Sequence, residues 1–434
     1  MLLVVAFIAV VVLNRPDTAG VIALTVVPVA SGIRAVTGTL PPAELLVGFL
    51  TMLLVAVPRR PQPWDRLDTV LFAFVAAGMG LGAFDMIVRH GGGDLQTLLG
   101  PVQFFLMFRL ARMTLTSDRV RRLALRGLLF ASIPASTLTI AQGVRFPGAE
   151  AVIRSLTGGD ILDSWGYRHH LRATGPFPIW HALAGYLMLV LLVCVALLAL
   201  RTQQVMNPVA VGAIAFLGLI ALVLSQTFTT LIALMVASFL VSWRLRAMRA
   251  LATFAVIGAI VALLFGSVIA DRLDRQYAQQ PTTSTGVVVP QTIGYRFMVW
   301  TEQYLPNMGP YWLTGYGPGI PDAIVWQHTE SSYITLWLHG GLPLLLLHCW
   351  LMVVLYKRTR GVARRLVDVD GAIALVVSTT VMMLWVMNFI WPYSIDSGLV
   401  QPFWLLAGMA VAPLASDGRV REVGRPSLTQ SIEA

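Results

Sequence analysis

Residues 179–200 read Ile-Trp-His-Ala-Leu-Ala-Gly-Tyr-Leu-Met-Leu-Val-Leu-Leu-Val-Cys-Val-Ala-Leu-Leu-Ala-Leu. His181 is the one histidine in the run. A helix needs about 20 apolar residues to cross the hydrocarbon core of a bilayer, so this stretch reads as a transmembrane helix. The pattern repeats along the chain. Apolar runs between charged or Gly/Pro-rich breaks fall at 1–13, 20–37, 42–58, 67–86, 97–113, 122–143, 207–224, 226–243, 249–270, 331–356, 371–391 and 398–414. The expected fold is an all-α polytopic membrane protein with about 12–13 transmembrane helices.

The composition agrees. Of 434 residues, 57% are hydrophobic and only 12% charged, with a mean hydropathy of +0.75. A soluble domain has about one quarter charged residues. That excludes a disordered chain, a nucleic-acid-binding domain and an ordinary soluble enzyme. The net charge of +10 is therefore a topology signal before it is a binding signal. All but one of the 31 basic residues are Arg, the exception being Lys357. With Arg59, Arg60 and Arg66 placed in the cytoplasm and the spans alternating, the clusters Arg119/Arg121/Arg122/Arg126, Arg244/Arg246/Arg249 and Lys357/Arg358/Arg360/Arg364/Arg365 also fall inside, as the positive-inside rule demands. Cys194 and Cys349 lie in apolar runs and make no disulfide framework or zinc pattern.

This orientation puts two long connections, 144–178 and 271–330, outside. The chain then divides into N-terminal transmembrane helices (1–143), a first long extracytoplasmic loop (144–178), central transmembrane helices (179–270), a large extracytoplasmic loop with a short amphipathic helix (271–330), C-terminal transmembrane helices (331–414) and a cytoplasmic tail (415–434). Long loops on a rigid scaffold are where functional residues concentrate.

The first loop ends Arg168-His169-His170-Leu171-Arg172-Ala173-Thr174-Gly175-Pro176-Phe177-Pro178, just above the start of a span. Two readings stand side by side. One is a solvated basic patch at the interface. The other is an anion site, because guanidinium forks grip phosphate oxygens and a helix N-terminus adds free N–H groups. In the second loop, 271–291 is polar and irregular, as a flexible lid would be. Residues 292–305 read as an amphipathic helix whose Tyr295, Phe297, Trp300 and Tyr304 dip into the membrane interface, with Arg296 as its one base. Three glycines in Gly315-Tyr-Gly317-Pro-Gly319 make a tight turn with close backbone approach. His328-Thr329-Glu330-Ser331-Ser332-Tyr333 then leads into the next span. His328 could act as a base near neutral pH, and Glu330 could do so if desolvated or could orient His328. Within that span, His339 and His348 read as neutral groups bonded to a neighbouring helix. Asp368-Val-Asp370 has the form of a metal-binding D-x-D, but it lies in a short basic connection on the inner side.

The order Arg172-Ala-Thr-Gly-Pro-Phe before a span, Arg296 and Trp300 on a short helix, Leu313-Thr-Gly-Tyr-Gly-Pro-Gly319, and His328 at the mouth of a span carrying Gly340-Gly341-Leu342 resembles the O-antigen ligase / Wzy-type polymerase superfamily. The resemblance covers residues 165–350. It implies an all-helical enzyme of the bacterial cytoplasmic membrane with its active site on the extracytoplasmic face. Such enzymes take glycan from an undecaprenyl-diphosphate-linked donor and pass it to a glycan, lipid or protein acceptor, with no metal, cofactor or nucleic acid. By position, Arg172 and Arg296 resemble the arginines that hold the diphosphate, and His328 resembles the residue that activates the acceptor hydroxyl. Two departures matter. Leu224-Ser225-Gln226-Thr227 lacks the Arg of the family's Ser-Arg-Gly segment, so Arg168 could supply a third cation. Thr329 and Glu330 follow the His in place of Asn, so the base is His328 or Glu330. His181, Tyr295, Trp300 and Tyr333 complete the candidate set as substrate contacts. The alternative class is a transporter or flippase of lipid-linked glycan, which predicts two similar halves; residues 1–217 and 218–434 show no such repeat.

Overall fold

The computed structural model describes residues 2–33, 42–56, 64–90, 95–163, 172–200, 204–278, 290–319, 329–366, 368–395 and 397–412. It is a helical bundle, and each apolar run falls on a helix. In chain order these are α1 (Leu2–Asn14), α2 (Thr18–Ala30), α3 (Pro42–Ala56), α4 (Arg66–Asp85), α5 (Leu95–Thr114), α6 (Asp118–Gly143), the short α7 (Ala149–Thr157) and α8 (Asp160–Asp163), α9 (Trp180–Leu200), α10 (Pro208–Leu224), α11 (Phe228–Arg244), α12 (Met248–Leu264), α13 (Gly266–Ala278), α14 (Gln291–Met298), α15 (Leu305–Met308), α16 (Ser332–Arg365), α17 (Val369–Met387) and α18 (Val400–Val411). Among the described residues, α4, α6, α9, α16 and α17 are long and apolar enough to cross a membrane singly. The pair α12 and α13 would make a sixth span, bent by 77°. Helices α2, α10, α11 and α18 and residues 45–56 of α3 are apolar but shorter.

Helix α9 is the axis. Every residue from His181 to Leu197 is buried, as expected of a helix apolar on all sides. α18 is buried along its whole length and packs on α5 and α17. Outer helices instead turn large apolar side chains outward, such as Val55, Val209 and Leu263. An apolar surface of this kind suits hydrocarbon rather than water.

One end of the bundle is closed by buried charge. Asp65 caps α4 in a reciprocal box with Asp68, which satisfies orphan N–H groups. Asp68 is fully buried between Arg109, at 2.9 Å, and Arg112, whose second nitrogen reaches Asp65 at 2.8 Å. Arg121 pairs with Asp370 at 2.9 Å and donates to the carbonyls of Leu115 and Ala412. Asp368 caps α17 through the Gly371 N–H. The D-x-D motif is thus a helix cap and an ion pair that hold this end together. Removing one partner of a buried pair costs about 3–5 kcal/mol, because the other charge stays buried alone. Asp68→Ala should accordingly lower the melting temperature of the detergent-solubilised protein sharply, and an unchanged melt would show that the cluster carries no stability.

The opposite end gathers both long connections. The buried Gln142, at the end of α6, accepts from the N–H groups of Thr174 (2.8 Å) and Gly175 (2.9 Å). The N–H of Ala173 donates to Leu224 at the end of α10. Asn388, at the end of α17, takes Ser331, Ser332 and Ser394 into one buried network, and Ser394 reaches His348 at 3.4 Å. His348 is therefore bonded within the bundle, as read from the sequence.

Three expectations are corrected. The polar stretch 271–278, read as part of a flexible lid, is the last part of helix α13; residues 279–289 lie outside the described residues. Residues 292–305 are helical, as read, but not all four of their aromatics are turned outward. The chain is helical from Gln291 to Met308, with a π-helical stretch at Val299–Tyr304. Tyr304 is fully buried with Val299, Met308 and Leu338, and burial lifts its hydroxyl pKa to about 12. Helix α16 is also not continuous along its length, for Gly340 (φ −144°) and Gly341 (φ +65°) interrupt it. The N–H of Leu342 would bond the carbonyl of Leu338 in an unbroken helix. Instead Leu342 donates to Trp312 (3.0 Å), and the Leu338 carbonyl accepts from Tyr316 (2.6 Å). The glycine turn at 312–319 fills the break from the side and satisfies both groups, as a low-dielectric setting requires.

Candidate functional site

Arg172 is the last residue before the Ala173–Gly175 anchor. With that backbone held by Gln142 and Leu224, its guanidinium stacks on Trp180 at 4.2 Å and reaches the Gln226 carbonyl at 3.5 Å. Gln226 itself has a left-handed φ of +53°, which turns the end of α10 back towards Arg172. Burial pushes the guanidinium of Arg172 well below its usual pKa, helped by the positive charges of Arg272 and Arg296 and opposed by Tyr393 and Glu330. Arg172 therefore lies within electrostatic reach of residues from α13, α14, the start of α16 and the link between α17 and α18.

Arg296 is nine-tenths buried. One terminal nitrogen donates to the Thr292 carbonyl at 3.1 Å, and the other pairs with Glu330 at 3.0 Å. Glu330 is held in the left-handed region, φ +57°, where a non-glycine residue is strained. Its neighbours fix it there. Trp300 donates to the Thr329 carbonyl at 2.8 Å. The hydroxyls of Thr329 and Thr335 are bonded, and Ser331 and Ser332 are tied to Asn388. The Nε atoms of Arg172 and Arg296 are buried with no hydrogen-bond partner among the described residues. Tyr295 completes this side, with burial and then Glu330 raising its hydroxyl pKa.

The structure thus brings Arg172, Arg296, Glu330, Tyr295 and Trp300 to one end of the bundle. His181 stacks on Trp391 (4.2 Å) and meets the Tyr393 hydroxyl at 3.3 Å; Tyr393 also bonds Thr230 at 2.8 Å. His181 reaches the group through Tyr393. Tyr333 faces elsewhere, its hydroxyl on the Trp385 carbonyl at 2.9 Å and its ring on Phe389. His328 and Arg168 lie outside the described residues. Sequence reasoning passed over Arg272, Gln226, Asn388 and Tyr393. Arg272 was hidden in a stretch read as irregular, and the 388–399 link carries no spacing pattern that would single out Tyr393.

An arrangement of this kind can bind an anion. Guanidiniums with spare N–H groups in a partly desolvated pocket stabilise phosphate oxygens more strongly than they would in water. A carboxylate beside them can take a proton from a hydroxyl.

Residues 213–349 match the family model described as O-antigen ligase. The matched stretch runs from α10 through the interruption in α16. It includes Arg296, Glu330 and the glycine turn, while Arg172 lies outside it. No curated protein matches the chain. The match supports the superfamily read from the ordered motifs, and with it a membrane glycan-processing function of the ligase or polymerase type.

Proposed function

We propose that the protein is a metal-independent glycosyltransferase. In this reading it transfers or polymerises glycan from an undecaprenyl-diphosphate-linked donor, on the outer face of the bacterial cytoplasmic membrane. The observation that carries the reading is that Arg172 and the Arg296–Glu330 pair, which come from the two long connections, lie within electrostatic reach of one another at one end of the bundle. Arg172 and Arg296 hold the diphosphate and stabilise the charge that develops on it. His328 or Glu330 takes the proton of the acceptor hydroxyl. The acceptor oxygen then bonds the anomeric carbon as the bond from that carbon to the diphosphate oxygen breaks, and the electron pair leaves with the lipid diphosphate. A displacement from the opposite face inverts the anomeric centre. Transporter sites lie near the bilayer midplane between repeats; a cluster at the helix ends favours chemistry over transport.

Deletion of the gene followed by profiling of surface glycans tests the function as a whole. Loss of long chains marks a polymerase, and long chains left on the carrier lipid mark a ligase. Surface glycans unchanged in both length and attachment would refute both.

A further inference from the structure

A third arginine stands beside the two used so far. Helices α13 and α14 pack together, and the Thr292 hydroxyl donates to the side-chain carbonyl of Gln276 at 2.7 Å. Arg272 lies one helical turn before Gln276. Arg296 lies one turn after Thr292 and bonds its carbonyl. Residues four apart share a helix face, so the bridge at Gln276 and Thr292 sets Arg272 and Arg296 side by side on the facing surfaces. Arg272 is within electrostatic reach of both Arg172 and Arg296.

Two of the acids near it are paired with other arginines. Asp271 pairs with Arg275 at 3.3 Å, and Glu330 pairs with Arg296. Among the described residues Arg272 makes no ion pair or hydrogen bond. Three guanidiniums therefore lie within electrostatic reach of one another, and the carboxylate of Glu330 is paired with one of them, Arg296. Like charges held close disfavour one another unless an anion fills the space. The unused, buried Nε atoms of Arg172 and Arg296 belong to the same cluster.

We propose that Arg272 is the third cation of the donor site and that it sets the site for a diphosphate rather than a monophosphate. This rests on the glycosyltransferase reading above. In a sugar–diphosphate–lipid each phosphate carries one negative charge. The donor presents two phosphates, each with its own oxygens for a guanidinium fork, whereas a single phosphate offers one set of oxygens to three guanidiniums.

The test uses the full-length protein in lipid nanodiscs, titrated with undecaprenyl diphosphate and, separately, undecaprenyl monophosphate. The wild type should prefer the diphosphate. Arg272→Ala should weaken diphosphate binding by about tenfold to a hundredfold, the range for one charge-assisted hydrogen bond, and leave monophosphate binding near its wild-type value. Arg272→Lys should keep most of the preference, and Arg272→Gln serves if the alanine variant does not fold. A wild-type preference in Arg272→Ala, or equal weakening for both lipids, overturns the proposal. Arg172→Ala and Arg296→Ala run alongside. If they lose diphosphate binding and Arg272→Ala does not, only the Arg272 assignment fails. If all three bind as wild type, the donor-site reading fails with it.

Discussion

Arg296→Ala should lower glycan transfer by about a hundredfold to a thousandfold, the loss seen when one preorganised donor to a developing negative charge is removed. The measurement is conversion of a lipid-linked glycan by protein reconstituted in proteoliposomes. Arg296 contributes in two ways. In the proposed site it would offer the leaving diphosphate a buried Nε with no other partner among the described residues, and it holds Glu330 at 3.0 Å. Removing it takes a cation from the leaving group and leaves Glu330 partly buried without its counter-ion. Arg296→Lys should recover part of the rate, since charge returns without the planar fork. Melting and gel filtration establish that the variant folds. A folded Arg296→Ala protein with the wild-type rate would remove Arg296 from the donor site.

Gly341→Ala should destabilise the protein by about 4 kcal/mol. At φ +65° and ψ −168° Gly341 lies in a region essentially reserved for glycine, which costs another residue about 1–3 kcal/mol, and overpacking against neighbours that cannot move costs about 1–3 kcal/mol more. Here the neighbours are backbone. A Cβ on Gly341 would sit 2.2 Å from the Leu313 carbonyl oxygen and 2.4 Å from its carbon. Gly315 faces the same contact from the other side, its Cβ position 2.6 Å from the Gly341 nitrogen. Relief requires the 312–319 turn to leave α16, and the bonds Leu342–Trp312 and Tyr316–Leu338 go with it. The melting temperature should fall well below that of Gly361→Ala, a control in the same helix where the added methyl meets nothing. Equal melts for the two variants would show that the turn does not depend on the break.

The bundle was legible because bilayer hydrocarbon leaves few choices. An apolar run the length of a membrane must be helical, and each run is. Arg172, Arg296 and Glu330 were legible as a set because ionisable residues are scarce in this chain, so those just outside a span stand out. Other features depend on tertiary partners. The Leu-His-Gly-Gly-Leu sequence at 338–342 looks like a tolerated flaw in a long span until the 312–319 turn supplies the missing bonds. Tyr304 looks interfacial by its helix pattern, yet Leu338 and Met308 close over it. Arg272 sits in a polar stretch with no apolar periodicity, and its neighbour Arg296 lies beyond residues 279–289, so only the Gln276–Thr292 bridge brings the two together.

The Arg296–Glu330 pair has a consequence for the timing of each cycle. Glu330, held by the fold at 3.0 Å from Arg296, is a tethered competitor for any anion that binds there. In the proposed cycle a lipid-linked substrate would compete with it for Arg296, which would disfavour weakly charged lipids. After the proposed transfer the same carboxylate would retake Arg296 and help release the spent carrier. On that reading the site carries its own means of letting a highly charged molecule go.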